Sequence, residues 1–498
     1  MSTDGPCPVM RACGGCEQLG LPYHKQLARK QQAMEDLFRP LFTSAGWDIT
    51  IDPVVGMGGL AGDGKLPSPR GFRYKATTPF APGPQGTVRH GLFARGTHRI
   101  IDIPGCPVEA PGARDILTRV TEAAEACHIP AYDEDRRRGL LRYAVLRLAW
   151  RTDEGLLTLV TAQRDIPHQH ALIERLRAID PRITSIAQNV NPRATNAILG
   201  AETRVLAGPP RMRDRLLGCT FEISPGAFYQ TNPAQTEVLY QLAIDNMDLQ
   251  EGDVLLDAYC GSGTIGLCAA QAVHQAGVDI QLIGVERNAQ GITDARRNAE
   301  INGLEERATF VAEDATAYLR RAAADEEHVD VLVLDPPRAG STQAFLESGI
   351  ALGPRRIVYI SCNPVTQERD LAVLARGGYR LERFTPVDMF PHTPHVETVC
   401  LLTRKNVAGY VNVDIDVKEL KRDKLPPKAT YKQIQAYVLE KYGLKVSTLN
   451  IATVKDELGL EKQFSYEKGG MAAKNRPQCS KEKHDAIVDA FRHFKMTL

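Results

Sequence analysis

The chain has 498 residues, 43% hydrophobic and 24% charged, with a formal net charge of only +1, a mixture able to bury two to four globular cores of roughly 100–200 residues each. Its overall charge announces no polyanionic partner. The start lacks the apolar stretch of a secretory signal and no run approaches the roughly 20 apolar residues that span a bilayer, so a soluble, cytoplasmic, non-membrane protein is expected.

Eleven cysteines in a cytosolic chain argue against a disulfide framework. Cys7, Cys13 and Cys16 stand in C-x5-C-x2-C spacing within residues 1–20, and the glycines before Cys16 allow a tight ligating turn. Cys106, in IDIPGCPVEA, is the candidate fourth thiolate of a tetrahedral zinc site or an iron–sulfur cube. Spacing alone does not choose between these metals. It is not the C-x3-C-x2-C of radical enzymes.

Residues 21–72 begin with an amphipathic helix, YHKQLARKQQAMEDLFRPLF, and continue as a Gly/Pro-rich connector, VVGMGGLAGDGKLPSPRGF. From 73 to 223, short alternating segments such as LRYAVLRLAWR and LLTLVTAQRD predict an antiparallel sheet with helices, a central α+β region. There FRYKA and VRHGLFARGTH put Arg73, Lys75, Arg89 and Arg95 near aromatic residues. That pattern suits phosphate contact and base stacking; an ordinary charged sheet face is the competing reading.

Residues 224–408 change grammar. VLLDAYCGSGTIGL is a strand, a Gly-rich turn and a helix start; LIGVER, ATFVAED, VDVLVLDPP, RIVYISCNP and HVETVCLLTR follow as strands separated by helix-length stretches. Such alternation predicts a mostly parallel, doubly wound α/β sheet. The third glycine of the dinucleotide fingerprint is missing after Gly261 and Gly263, which disfavours a pyrophosphate ligand. The next strand ends in Glu286, where a carboxylate can accept both ribose hydroxyls, and the third ends in Glu313-Asp314, within reach of an adenine amino group. These features resemble the S-adenosylmethionine site of Rossmann-like methyltransferases; an unrelated nucleotide fold stays open on them alone.

RIVYISCNPVTQERDL sharpens the reading. Cys362 stands at the tip of a strand and is followed by Asn363-Pro364, where an open α/β sheet receives its ligands; a packing cysteine would sit inside the run. Cys260 and Cys400, which do sit inside strand signals, read as buried bystanders. With LDPPRAG around Asp335 and HVETVCLL around Glu397, the chain over roughly residues 7–405 resembles the uracil-5 RNA methyltransferase family. The resemblance implies that Gln230, Tyr259, Thr264, Glu286 and Asp335 contact S-adenosylmethionine, that Cys362 is the nucleophile and that Glu397 accepts the proton. Some members carry asparagine at the Thr264 position. For Asp335, contact with the uracil edge, instead of or alongside the cofactor, stays open.

The implied chemistry needs these residue types. Carbon 5 of uracil becomes nucleophilic only after a thiolate adds to carbon 6, and its proton must leave before the cysteine is expelled. A thiol of pKa about 8.5 is only a few per cent ionised at pH 7, so the site or the nearby sulfonium must favour the thiolate. Arg338 is a candidate contributor, with a surface salt bridge as its alternative role.

The ribosomal-RNA branch of the family carries this cysteine quartet around a [4Fe–4S] cluster, which implies the same cluster on Cys7, Cys13, Cys16 and Cys106. The implied partner is 23S rRNA or a pre-ribosomal particle, entered by a single-stranded or flipped-out uridine. A transfer-RNA uracil methyltransferase and a noncatalytic RNA-binding factor on the same scaffold are the alternatives. Some ribosomal-RNA members have a small β-barrel RNA-binding domain ahead of the cysteines; with six residues before Cys7, that domain is expected to be absent. Residues 409–498, which hold 17 Lys/Arg and 12 Asp/Glu, form a Lys-rich linker, VKELKRDKLPPK, and a helical extension from near Ala429, a candidate for compensating RNA affinity.

Overall fold

The computed structural model describes residues 7–58, 68–195, 197–404, 431–446, 450, 451, 454 and 481–493. The linker VKELKRDKLPPK and part of the Gly/Pro-rich connector lie outside them. The chain divides into two units, Met1–Val407 and Ala408–Leu498.

In the first unit a single helical turn, Met10–Cys13, closes on Gly14, whose φ of 67° is open to glycine without strain. The long helix α1 (Tyr23–Ala45) buries Tyr23, Leu27, Met34, Phe38 and Leu41 on one stripe, the spacing of an amphipathic helix laid on a sheet. Lys30 lies on that stripe and is buried with it.

The central sheet is built from β1 (Lys75–Pro82), β2 (Val88–His90), β3 (Leu141–Leu148), β4 (Gly155–Thr161), β5 (Ile183–Val190) and β6 (Glu202–Ala207), with α2 (Ala113–Ala126) between β2 and β3 and α3 (Gln169–Arg177) between β4 and β5. Strand order is β2-β1-β3-β4-β5-β6. The sheet differs from a purely antiparallel one at β4–β5, which pair in parallel, because the chain crosses over through α3 before returning. A ribbon, β7 (Met212–Leu216) and β8 (Cys219–Ile223), turns at Leu217 and Gly218 with φ of 45° and 81°, the left-handed pair of a tight hairpin. Its Met212, Leu216, Phe221 and Ile223 pack into the core of the following domain.

That domain runs through α4 (Pro233–Met247), β9 (Val254–Ala258), α5 (Thr264–Gln275), β10 (Gln281–Glu286), α6 (Ala289–Ile301), β11 (Ala308–Ala312), α7 (Ala315–Ala324), β12 (Val331–Leu334), α8 (Gln343–Leu352), β13 (Arg356–Ser361), α9 (Pro364–Arg376), β14 (Tyr379–Val387) and β15 (Glu397–Arg404). Its seven strands are ordered β11-β10-β9-β12-β13-β15-β14. The first five are parallel and β15 is antiparallel to both its neighbours. This is a doubly wound, largely parallel α/β sheet. Order reverses between β9 and β12, so ligands meet the sheet outside the carboxyl ends of these strands. No apolar run marks β14 in the sequence; its YRLERFTPV carries the charges of an edge strand.

In the second unit, α10 (Tyr431–Tyr442) and α11 (Lys481–His493) share a small core of Ile434, Val438, Ile487 and Phe491. Among the described residues, no helix is long and apolar enough to cross a membrane.

Candidate active site

The cofactor end forms where β9 stops. After Asp257 the chain turns through Tyr259, Gly261 and Gly263, with φ of 70°, 56° and 79°. Tyr259 and Cys260 both donate their N–H to the Val285 carbonyl at 3.0 Å, which folds the turn back over β10 and lays the Tyr259 ring 5.2 Å from that of Phe345. A side chain at Gly263 would meet Phe310 and Leu267 at 3.1–3.2 Å, so this turn must be glycine for its close packing as well as its dihedral. A Cβ at Gly261 would meet nothing within 4 Å; there the backbone faces open space.

Glu286, half-buried at the end of β10, accepts from the Asn288 N–H at 2.7 Å. Thr264 opens α5 and shares a hydrogen bond of 3.1 Å with the Tyr240 hydroxyl. Asp335 ends β12, half-buried, and burial raises its carboxyl to about 7. Asp314 caps α7, accepting from the N–H groups of Thr316 and Ala317, while Glu313 pairs with Arg321. Gln230 lines a small cavity with Lys75, Arg147 and Tyr229.

Asp257, in the motif but without an assigned role from sequence, is a further candidate. One carboxyl oxygen accepts from the Gly266 N–H at 2.9 Å; the other is buried without a protein partner. Burial, with Asp335 and Glu286 nearby, raises it to about 7. A cluster of carboxyls around a glycine turn, one with an orphaned oxygen, fits a cationic nucleoside ligand such as S-adenosylmethionine. A cleft of about 680 Å³ adjoins this turn, reached by Gly261, Glu286, Arg204, Arg211 and Phe228. Phe228 is 71% exposed at the rim of this cleft.

At the reaction end, β13 finishes on Ser361, which faces Thr398 in the antiparallel register with β15. One residue beyond this rung in each chain direction stand Cys362 and Glu397, and the Glu397 charge acts on the Cys362 thiol. Asn363 and Pro364 then start α9, since proline suits the first helical position and its absent N–H ends strand pairing. The corner is braced by Thr398, whose hydroxyl donates to Gln367 at 2.6 Å, and by Gln367, which donates to the Tyr359 carbonyl at 3.2 Å.

Electrostatics here are contested. The N-terminus of α9 favours an anion at Cys362, and so does Arg338, yet burial, Glu397 and Asp335 outweigh them and push the thiol up to about 11. Glu397, 4% exposed, is raised to about 8 by burial and by Asp335, with Arg338 again opposing. Arg338 has no carboxylate ion pair among the described residues; its guanidinium lies 3.3 Å from His395 Nδ1 and its carbonyl accepts from Asn363 at 2.8 Å. It is exposed, and its charge acts on both Cys362 and Glu397. Cys260 and Cys400 are buried.

The sequence-predicted cations separate. Lys75 adjoins Gln230, with its ammonium pushed down to about 8 by burial and by Arg147. Arg73 influences Cys16. Arg89 and Arg95 are exposed, near the central sheet's edge.

Cys7, Cys13, Cys16 and Cys106 are all free, half-buried thiols. Cys13 and Cys106 pack against Ala94, Ile101 and Ile103. Cys16 is raised to about 11 by burial and then by Cys106, with Cys13 and Cys7 adding and Arg73 opposing. Cys7, Cys13 and Cys106 thus all lie within electrostatic reach of Cys16, and thiolates are donors suited to a soft metal or an iron–sulfur cluster. Among the described residues, no three His, Cys, Asp or Glu side chains are arranged to hold a metal ion as they stand.

Comparison with known proteins matches residues 186–405 to the family model described as tRNA (uracil-5-)-methyltransferase. An uncharacterized RNA methyltransferase of Halalkalibacterium halodurans is 38% identical over 404 residues, 81% of this chain and 84% of that protein. One from Bacillus cereus is 37% identical over 401 residues, 80% and 83% of the two chains. The crystal structure of Pyrococcus abyssi tRNA (uracil-54, C5)-methyltransferase in complex with S-adenosyl-L-homocysteine superposes with a TM-score of 0.61 at 28% identity, covering 78% of this chain and 86% of that one.

Proposed function

The chain belongs to the RNA (uracil-5-)-methyltransferase family, and from that premise we propose that it methylates carbon 5 of a specific uridine in 23S rRNA through a covalent adduct at Cys362. The observation that carries this reading is the placing of Cys362 and Glu397 one residue beyond the Ser361–Thr398 rung, where Glu397 and Asp335 both act on the Cys362 thiol.

S-adenosylmethionine, when bound, supplies an electrophilic methyl group and a sulfonium charge that favours the thiolate. Gln230, Tyr259, Thr264, Glu286 and Asp335 are the residues we assign to holding it, with Asp257 beneath. Cys362 Sγ adds to carbon 6 of the uracil, which makes carbon 5 nucleophilic; after carbon 5 is methylated, Glu397 removes its proton and the sulfur leaves. Burial, Glu397 and Asp335 push the Cys362 thiol up to about 11, so the positive charge that a bound sulfonium brings favours the thiolate the reaction needs. Phe228 and the cleft beside it suit an unstacked base.

We further assign Cys7, Cys13, Cys16 and Cys106 to a [4Fe–4S] cluster in a structural role. That Cys7, Cys13 and Cys106 all act on the Cys16 thiol supports the donor set; iron and acid-labile sulfide analysis of anaerobically prepared protein tests it, and a colourless, zinc-loaded protein would overturn it. This quartet is what favours 23S rRNA. Transfer RNA is the second reading, favoured by the matched family description and the Pyrococcus abyssi structure. Methyl transfer to separate 23S rRNA and transfer-RNA transcripts, with mapping of the modified nucleotide, decides: methyl in transfer RNA alone would refute the ribosomal assignment.

A further inference from the structure

The eight residues from Asp388 to His395 lead from β14 towards Glu397, and they are fastened by buried polar groups that the reaction itself does not use. Lys30 on α1 is 2% exposed. Its ammonium donates to Asp388 Oδ1 at 2.5 Å, to the Phe390 carbonyl at 3.2 Å and to the His395 carbonyl at 2.8 Å. Tyr23, on the same helix face, donates to the other Asp388 oxygen at 2.8 Å. Gln26 donates to His392 Nδ1 at 3.2 Å and accepts from the His392 N–H at 2.9 Å.

An ammonium has three donors and no acceptor. Here all three are used, each on a different residue of one loop, at its first, third and eighth positions. Charge neutrality alone needs only Asp388, and a buried ion pair gives no general advantage over packed apolar groups. The two carbonyl bonds are what an apolar replacement cannot reproduce. They fix the curvature of the backbone that ends, after Val396, at Glu397.

We propose that Lys30 is a positioning residue: by its three hydrogen bonds to the 388–395 loop it sets Glu397 beside Cys362 for removal of the carbon 5 proton. This rests on the reading of Glu397 as the proton acceptor. Because that step follows methyl transfer, loosening the loop slows release of the adduct more than its formation.

The test uses full-length protein, single-turnover methyl transfer from labelled S-adenosylmethionine, and denaturing gels that resolve the protein–RNA adduct. Lys30→Met is compared with Glu397→Gln and with the double variant Lys30→Met/Asp388→Asn, which leaves no lone buried charge. The expected result is a methylated adduct that persists in both Lys30 variants, with release slowed about 10- to 100-fold and KM for RNA and cofactor within about twofold, the usual signature of lost positioning rather than lost binding. Normal release in a folded variant, or formation and release falling together in the double variant, overturns the proposal. If Glu397→Gln itself releases product normally, the proton-acceptor reading fails first. If Glu397→Gln stalls and the folded Lys30 variants do not, only the positioning role fails. Should neither Lys30 variant fold, Gln26→Leu, which leaves the ion pair intact, must show the same persistent adduct, and its absence overturns the idea.

Discussion

Cys362 and Glu397 stand opposite one another one step past the last rung of an antiparallel ladder, Ser361 against Thr398. In the proposed reaction one makes the bond to the base and the other allows it to break, so their variants should fail at different stages. Cys362→Ala is expected to abolish both methylation and adduct. Glu397→Gln keeps the nucleophile and should accumulate methylated adduct, with release slowed by about 10²–10⁴-fold, the range for a lost general base. Free product at the normal rate would remove Glu397 from the mechanism.

The pH dependence follows from two groups that must lose protons. Glu397, raised to about 8, and Cys362, raised to about 11, are both mainly protonated at neutral pH in the free enzyme. As kcat/KM reports groups of the free enzyme, it should climb from pH 6 towards pH 9 and keep no acidic plateau. A profile flat across that range would contradict the assignment of these groups.

Arg338 opposes both upward shifts. Arg338→Ala should therefore move the rising limb to higher pH, by about one unit for each 1.4 kcal/mol of lost stabilisation. Arg338→Lys keeps the charge and should recover part of the shift. An unmoved limb in Arg338→Ala would make the arginine a backbone fixture only, through its carbonyl bond to Asn363.

Residues 408–498 have a core of their own, and a variant ending near residue 407 should retain the methyltransferase fold. If the basic extension binds RNA, its removal raises the RNA KM and flattens the dependence of binding on salt, since each phosphate contact adds about one to the slope. Identical slopes for the two forms would leave the extension without an RNA role.

The parallel strands were legible because each is a continuous apolar run closed by glycine, proline or a carboxylate, and Cys362 stood out because Pro364 stops its strand. β14 was not, since Arg380, Glu382, Arg383 and Pro386 give it the look of a loop; only pairing with β15 makes it a strand. Lys30 was read as part of an amphipathic helix, where a lysine ordinarily marks the solvated side. Nothing local distinguishes it, because its partner Asp388 lies 358 positions away. Asp257 was visible as a residue but not as a candidate: an orphaned oxygen is a property of its surroundings, not of its neighbours in the chain.

The bond from Tyr23 to Asp388 spans 365 positions. Protein synthesis yields α1 among the first segments and the 388–395 loop among the last of this unit, so the helix must wait for nearly four hundred residues before its polar stripe finds its match. Contacts this remote are slow to form. A polypeptide that stops short of the loop lacks β15 and Glu397 altogether, and one that has passed it has its proton acceptor held in place only when these two distant segments join.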